Sequence, residues 1–521
     1  MRSRGEGMSR RQFLRLAGVT AGGISLAACT ASDPGPTGQG PRGIKTVRFA
    51  MSGEVSTADT ADPHLNTSQH DGRLMSAVYE QLAGYDDSLK AQPVLAESWE
   101  PNDTADVWTF KLRPNVTFHD ASELTAGDVV YSFQRILDPA TASPGAGSLG
   151  FLDPDAIEAV DDGTVRFTLS EPLADLPLAL INRQAYIVKE GATGDDLRAV
   201  ANGTGPFKLQ EFTPGEDPTV FVRNDRYWES GLPKADAVEL VSISEPASRV
   251  AALVRGQVDI IEDPPATELD RLGAGPDTTV VVEPKGNMEV IAMQIDVPPF
   301  DDLRVRQALK FAMDREAMLQ LVAQGQGTLV NDLPISSILE YALPGSPRER
   351  DVAEARALLQ AAGHGDGLDV TLAVSEVQAR FVEIATAYKE MAAEVGVNVT
   401  LDIRPADTYW DEVWLQVPMF VSAWIARPVD SMLALLFLEN AEWNETHWRR
   451  PDWDQRFAQA RSTIDYGQRE SMYRQLQTEI VDEGGYLVPY MVNTIGATRT
   501  AVTGWKPSGT PFENFATIEL G

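Results

Sequence analysis

"LDVTLAVSEVQARFVEIATAYKEMAAEVGVNVTLDI", residues 368–403, decides the fold. Its two ends, Leu368–Val374 and Val397–Ile403, alternate apolar and polar residues at strand period. Between them Phe381, Ile384, Ala385, Tyr388 and Met391 recur at helical spacing within "VQARFVEIATAYKEMAAEVG", and Gly396 is placed to end that helix. Strand, helix and strand with short joins make a βαβ unit, hence a parallel pair. Just before it, "DVAEARALLQAAGHGDG" reads as a helix closed by Gly363. Upstream, strand patterns recur at Thr46–Met51, Val107–Leu112, Thr164–Leu169 and Thr219–Asn224. "TAGDVVYSFQRIL" reads as a helix, with Thr125 as its N-cap and Asp128 at its third position. The chain is therefore α/β. Its 521 residues, 43% of them hydrophobic, suffice for several domains of roughly 100–200 residues each. Chains of this size and pattern build two lobes about a cleft, where ligands bind.

The formal charge of −32 argues against nucleic acid, because phosphate binding needs a basic face. It suits solubility outside the cytoplasm. Cys29 is the only cysteine, so no disulfide forms within one chain. His64, His70, His119, His364 and His447 form no HExxH or HxH arrangement, and no metal site is expected from motifs. The folded body has no GxSxG and no cysteine nucleophile. Gly203-Thr204-Gly205-Pro206 lacks a following GK[ST], so it reads as a tight turn where the chain crosses back between domains, and not as a phosphate loop. Asp301, Asp302 and Arg304 read as cap and dipole partners of a helix, and most of Trp99, Trp108, Phe110 and Phe118 as core.

At the N-terminus, Arg10, Arg11 and Arg15 precede a short apolar run, Leu16–Ala28, too brief for a membrane span. This fits an export signal over residues 1–28. Ser9–Arg15 looks like the twin-arginine motif. Leu26-Ala27-Ala28-Cys29 resembles a lipobox, which implies that Cys29 is lipidated and becomes the mature N-terminus. Residues 29–43, rich in Gly, Pro, Ser and Thr, read as a tether to the body.

Five long blocks, in order along the body, carry a family resemblance. They are Val78–Phe133 ("VYEQLAGYDDSLKAQPVLAESWEPNDT…"), Gly203–Trp228, Ala247–Ile260, Phe300–Leu319 and Trp443–Arg461 ("WNETHWRRPDWDQRFAQAR"). Together they resemble the extracytoplasmic solute-binding proteins of the peptide/nickel class, family 5, which deliver ligands to ABC importers. The resemblance implies a periplasmic-binding-protein-like fold (class II, cluster C) with two lobes, three domains and a hinged ligand cleft. Domain I would comprise 44–75, 204–290 and 493–521, domain II 76–203 and domain III 291–492. It further implies a monomer without cofactor or catalysis, anchored outside the cell membrane by lipid on Cys29. Its partners would be a peptide or small organic solute and an ABC permease with its ATPase. Two rivals are an extracytoplasmic hydrolase using paired carboxylates and a surface sensor without a transporter.

The same resemblance places "SAWIARPVD" on the cleft. Peptide binders there commonly carry Trp-x-x-Asp, whose aspartate pairs with the peptide ammonium. Here the run is Trp424-Ile425-Ala426-Arg427, with Asp430 three residues later. Arginine repels an ammonium group and suits a carboxylate. Three readings stand. Arg427 holds a ligand carboxylate, as in an opine-like or acidic amino compound; Arg427 and Asp430 brace the loop; or Asp430 takes the ammonium role. Trp424 offers a ligand face or core packing. Further candidates are Trp443, Asn444, Gln294, Ser52 and Glu54.

Overall fold

The computed structural model describes residues 45–521 apart from 285–286, 345–346, 379 and 511. The export signal, Cys29 and the tether lie outside the described residues. The βαβ unit forms as its spacing requires. Strands Leu368–Ser375 and Val397–Arg404 pair in parallel, and helix Phe381–Ala393 joins them. That helix buries Phe381, Ile384, Ala385, Tyr388 and Met391. Gly396 sits at φ +93°, a conformation that needs no Cβ. The helix starts at Phe381, four residues later than the quoted stretch begins, because the apolar repeat itself starts there.

This unit belongs to a mixed six-stranded sheet in the order 327–328, 486–492, 288–293, 419–424, 368–375 and 397–404. A seven-stranded sheet contains Thr46–Met51 in parallel with Ala237–Ser242 and Ile260–Glu262. An antiparallel four-stranded sheet contains Val107–Leu112 and Thr164–Leu169. Each sheet has its own apolar core, and in the four-stranded layer Trp108, Phe110 and Phe167 are buried. Helix Ala126–Leu137 covers that layer, and its Thr125–Asp128 capping box is present. The chain returns to the seven-stranded sheet through Gly203 and Gly205, packed on the Val78 carbonyl. A Cβ on either would stand within 2.8 Å of that oxygen.

The six-stranded sheet is joined to the seven-stranded one by two neighbouring crossings. One runs from Thr278–Glu283 to Met288–Met293, the other from Tyr486–Val492 to Thr494–Arg499. The crossings lie side by side, with Glu283 opposite Thr494 and the Val492 amide donating to the Asn287 carbonyl at 2.9 Å. A paired two-strand connection of this kind is a hinge between two lobes.

A buried basic cluster stiffens the second lobe. Asp332, fully buried, accepts from Arg315 and, at 3.3 Å, from Arg348. Lys310 donates to the Val481 carbonyl at 2.7 Å, and Arg306 to the Glu483 carbonyl. These carbonyls end helix Tyr466–Glu483, where the macrodipole favours cations. No helix among the described residues is long and apolar enough to cross a membrane.

Candidate functional site

Strand order positions the site. Strand Leu368–Ser375 lies between Val397–Arg404 and Met419–Trp424, all three parallel. The chain leaves it to one side, through helix Phe381–Ala393, and comes back to the other. Connections thus diverge at the carboxyl ends of Leu368–Ser375 and Met419–Trp424. In α/β sheets ligands bind at such switch points. Trp424 ends its strand there, and Ile425-Ala426-Arg427 forms the exit loop before helix Val429–Phe437.

That loop opens on a cavity of about 290 Å³, lined by Trp410, Trp414, Trp424, Trp443, Ile425 and Arg427 among others. Trp443 packs against Trp424 and Trp414, each at 5.8 Å between ring centroids. Behind them Glu445 is fully buried and accepts from Trp414 Nε1 at 2.6 Å, Trp424 Nε1 at 3.0 Å and the Tyr486 hydroxyl at 2.7 Å. Burial raises the Glu445 carboxyl above its usual range, and these donors pull it back. Glu445 thereby fixes the planes of two indoles.

Arg427 lies 5.9 Å over the Trp424 ring. Its Nη1 is buried without a hydrogen-bond partner, and no carboxylate pairs with it among the described residues. Burial lowers its pKa, opposed only by the Tyr85 phenol from the other lobe. Asp430 is not its partner. It accepts from the Tyr473 hydroxyl at 2.7 Å and pairs with Arg461 at 2.9 Å. The Arg427–Asp430 brace read from the sequence is therefore not formed, because Asp430 is taken up inside helix Val429–Phe437 by Arg461 and Tyr473.

Of the candidates, Trp424, Arg427 and Trp443 line one cavity. Asn444 instead holds its own turn, bonding the carbonyls of Leu438 and Trp448 and the Trp448 amide. Gln294 donates to the Leu415 carbonyl at 3.2 Å. Ser52 and Glu54 stand on the first lobe, outside this lining. Ser52 contacts Gln69 and Asp263, and Glu54 is exposed. Sequence reading missed Trp410, Trp414 and Glu445. The WxxxW spacing at 410–414, one helical turn, was the available signal.

Asp59, His70 and Asp71 also converge, one ligand atom each within 4.8 Å, a grouping no motif announces. Most of their polar atoms already serve the first lobe, while His70 Nδ1, 3.4 Å from Asp59, has no hydrogen-bond partner among the described residues. Asp71 closes the cap of helix Gln69–Val78, Asp59 accepts from the Ser56 amide and Ser68 hydroxyl, and His70 Nε2 meets Thr219.

The lobes also touch away from the hinge. The Ala174 amide donates to the Arg461 carbonyl at 2.6 Å, and Asp175 pairs with Arg469 at 3.1 Å beside the Tyr341 hydroxyl. Leu89, at the tip of the hairpin Ala83–Tyr85/Ala91–Pro93, packs into the core of the second lobe. Lys90 meets Glu340 at 3.3 Å. These contacts tie the two lobes together away from the crossings, and Asp175 carries the ion pair that we expect to act as a latch. We predict that Asp175→Ala enlarges the radius of gyration of the ligand-free protein and speeds ligand release roughly tenfold. Arg469 keeps its carbonyl partners Thr463 and Ile464, so the fold should stand. Unchanged small-angle scattering would refute the latch.

Two lobes on a paired hinge, with an aromatic cavity at the strand ends, define a cleft-type binding protein. The chain belongs to the bacterial extracellular solute-binding proteins, family 5, whose middle region matches residues 90–444. It is 26% identical over 514 residues to the glutathione-binding protein GsiB of Pectobacterium atrosepticum, covering 95% of this chain and 96% of that one. HbpA2 from Haemophilus parasuis shares the fold with a TM-score of 0.81 at 22% identity, over 91% of this chain and 100% of that one. AgaA from A. tumefaciens R10, solved in complex with agropinic acid, matches with a TM-score of 0.69 at 25% identity, over 91% and 99%.

Proposed function

We propose that this protein captures a carboxylate-bearing solute, a short peptide or an opine-like compound, and delivers it to an ABC permease. The observation that carries this reading is the half-buried Arg427 in the cavity lining, unpaired among the described residues. A half-buried guanidinium left without a counter-charge is stabilised by an arriving carboxylate, through charge-assisted and often paired hydrogen bonds. The relatives support it. Glutathione and agropinic acid, named for two of them, both carry carboxyl groups. Lobe closure over the cleft would present the loaded form to the permease. Lipidation of Cys29 after twin-arginine export would keep the protein at the membrane surface, where a second anchoring signal makes binding stable.

Native mass spectrometry of the mature protein, purified from its own host without denaturation, tests this. A released compound bearing a carboxylate is expected. A released ligand lacking one, or turnover of the ligand by the purified protein, overturns the reading.

A further inference from the structure

Four of the ten tryptophans, Trp410, Trp414, Trp424 and Trp443, meet at one cavity beside Arg427. Trp410 and Ile425 at its mouth are 38% and 41% exposed, large apolar groups left in water. Glu445 takes the Nε1 hydrogens of Trp414 and Trp424, so those indoles keep no donor for a ligand. The wall they offer is ring face and ring edge. Arg427 is the cationic exception among the lining residues. A cavity of about 150 Å³ admits benzene, so the 290 Å³ here has room for a bicyclic ring.

We propose that the cavity selects a flat aromatic group a few bonds from the carboxylate that Arg427 holds. The ligand class is then an aryl-bearing carboxylate, such as a short peptide with an aromatic residue. This rests on the reading of Arg427 as the carboxylate anchor. It goes beyond that reading by assigning a second, apolar determinant. A small polar carboxylate would satisfy Arg427 and leave the tryptophan wall wet. Burying an aromatic ring against it strengthens binding by roughly tenfold or more.

The test is calorimetric titration of the folded chain with Gly-Trp, N-acetyl-tryptophan, Gly-Ser and glutathione. Both aryl compounds should bind at least tenfold more tightly than the other two. Trp443→Ala removes one wall without touching Glu445, and Ala423→Leu fills the cavity; each should erase the preference. Thermal melts of both variants establish that they fold, and either variant suffices for the comparison. Arg427→Gln should weaken all ligands and leave the aryl preference in place. Glutathione or Gly-Ser binding as tightly as the aryl compounds overturns the inference while leaving the anchor intact. So does a preference that survives in both cavity variants. Loss of the anchor shows differently: carboxylates bind Arg427→Gln and the unmodified protein alike, and both readings then fall.

Discussion

Asp332→Ala should cost the second lobe on the order of 3–5 kcal/mol, the penalty for stranding buried cations. Asp332 is fully buried and joins Arg315 and Arg348, while Lys310, also fully buried, senses its charge. Without it, three cations face one another at the end of helix Tyr466–Glu483, with carbonyl dipoles as their remaining support. Thermal unfolding should fall by roughly 10 °C. The loss should depend on pH in a definite direction. Burial already depresses Lys310 to about 7, and Asp332 is the group that opposes this most. Removing Asp332 lowers it further, so Lys310 releases its proton more readily and the repulsion eases as pH rises. The deficit of the variant should be smaller at pH 9 than at pH 6. Adding Lys310→Met should restore part of the stability, a coupling that a double-mutant cycle measures directly. Equal stability of Asp332→Ala and the unmodified protein at pH 6 would contradict this account of the cluster.

Arg427→Gln should weaken ligand binding by roughly 10- to 100-fold, the worth of a charge-assisted hydrogen bond. Ligand-free stability should hold or rise slightly, because the change removes a half-buried charge, unpaired among the described residues, whose Nη1 has no hydrogen-bond partner there. Arg427→Lys should recover little, since an ammonium cannot present two parallel donors to a carboxylate. Calorimetric affinities beside melting curves of the empty protein decide it. Unchanged affinity with lost thermal stability would mark Arg427 as a structural brace and remove it from the site.

The split between these outcomes follows from where Asp430 went. In the sequence, Arg427 and Asp430 are three residues apart, close enough to pair across a turn. In the structure, Pro428 starts a new direction and Asp430 enters helix Val429–Phe437 facing Tyr473 and Arg461. Those partners lie 31 and 43 residues downstream, and no local pattern marks them.

What the sequence determined by itself was local and periodic. The βαβ unit, the Thr125 cap, the positive-φ glycines at 363 and 396 and the strands of the first half all follow from spacing that a short window contains. The order of five long blocks pointed to the family, and the base in place of an acid at Arg427 marked the unusual position. The tertiary structure alone decided which groups meet across long separations. It placed Glu445 behind the indoles of Trp414 and Trp424, set Trp410 beside them, left Arg427 without a counter-charge among the described residues and paired Asp175 with Arg469. The physical reason is that caps and periodic faces are satisfied within one or two turns of chain. A buried charge is satisfied by whichever group the packing of whole sheets brings within about 3 Å, and that is fixed only when the tertiary packing forms.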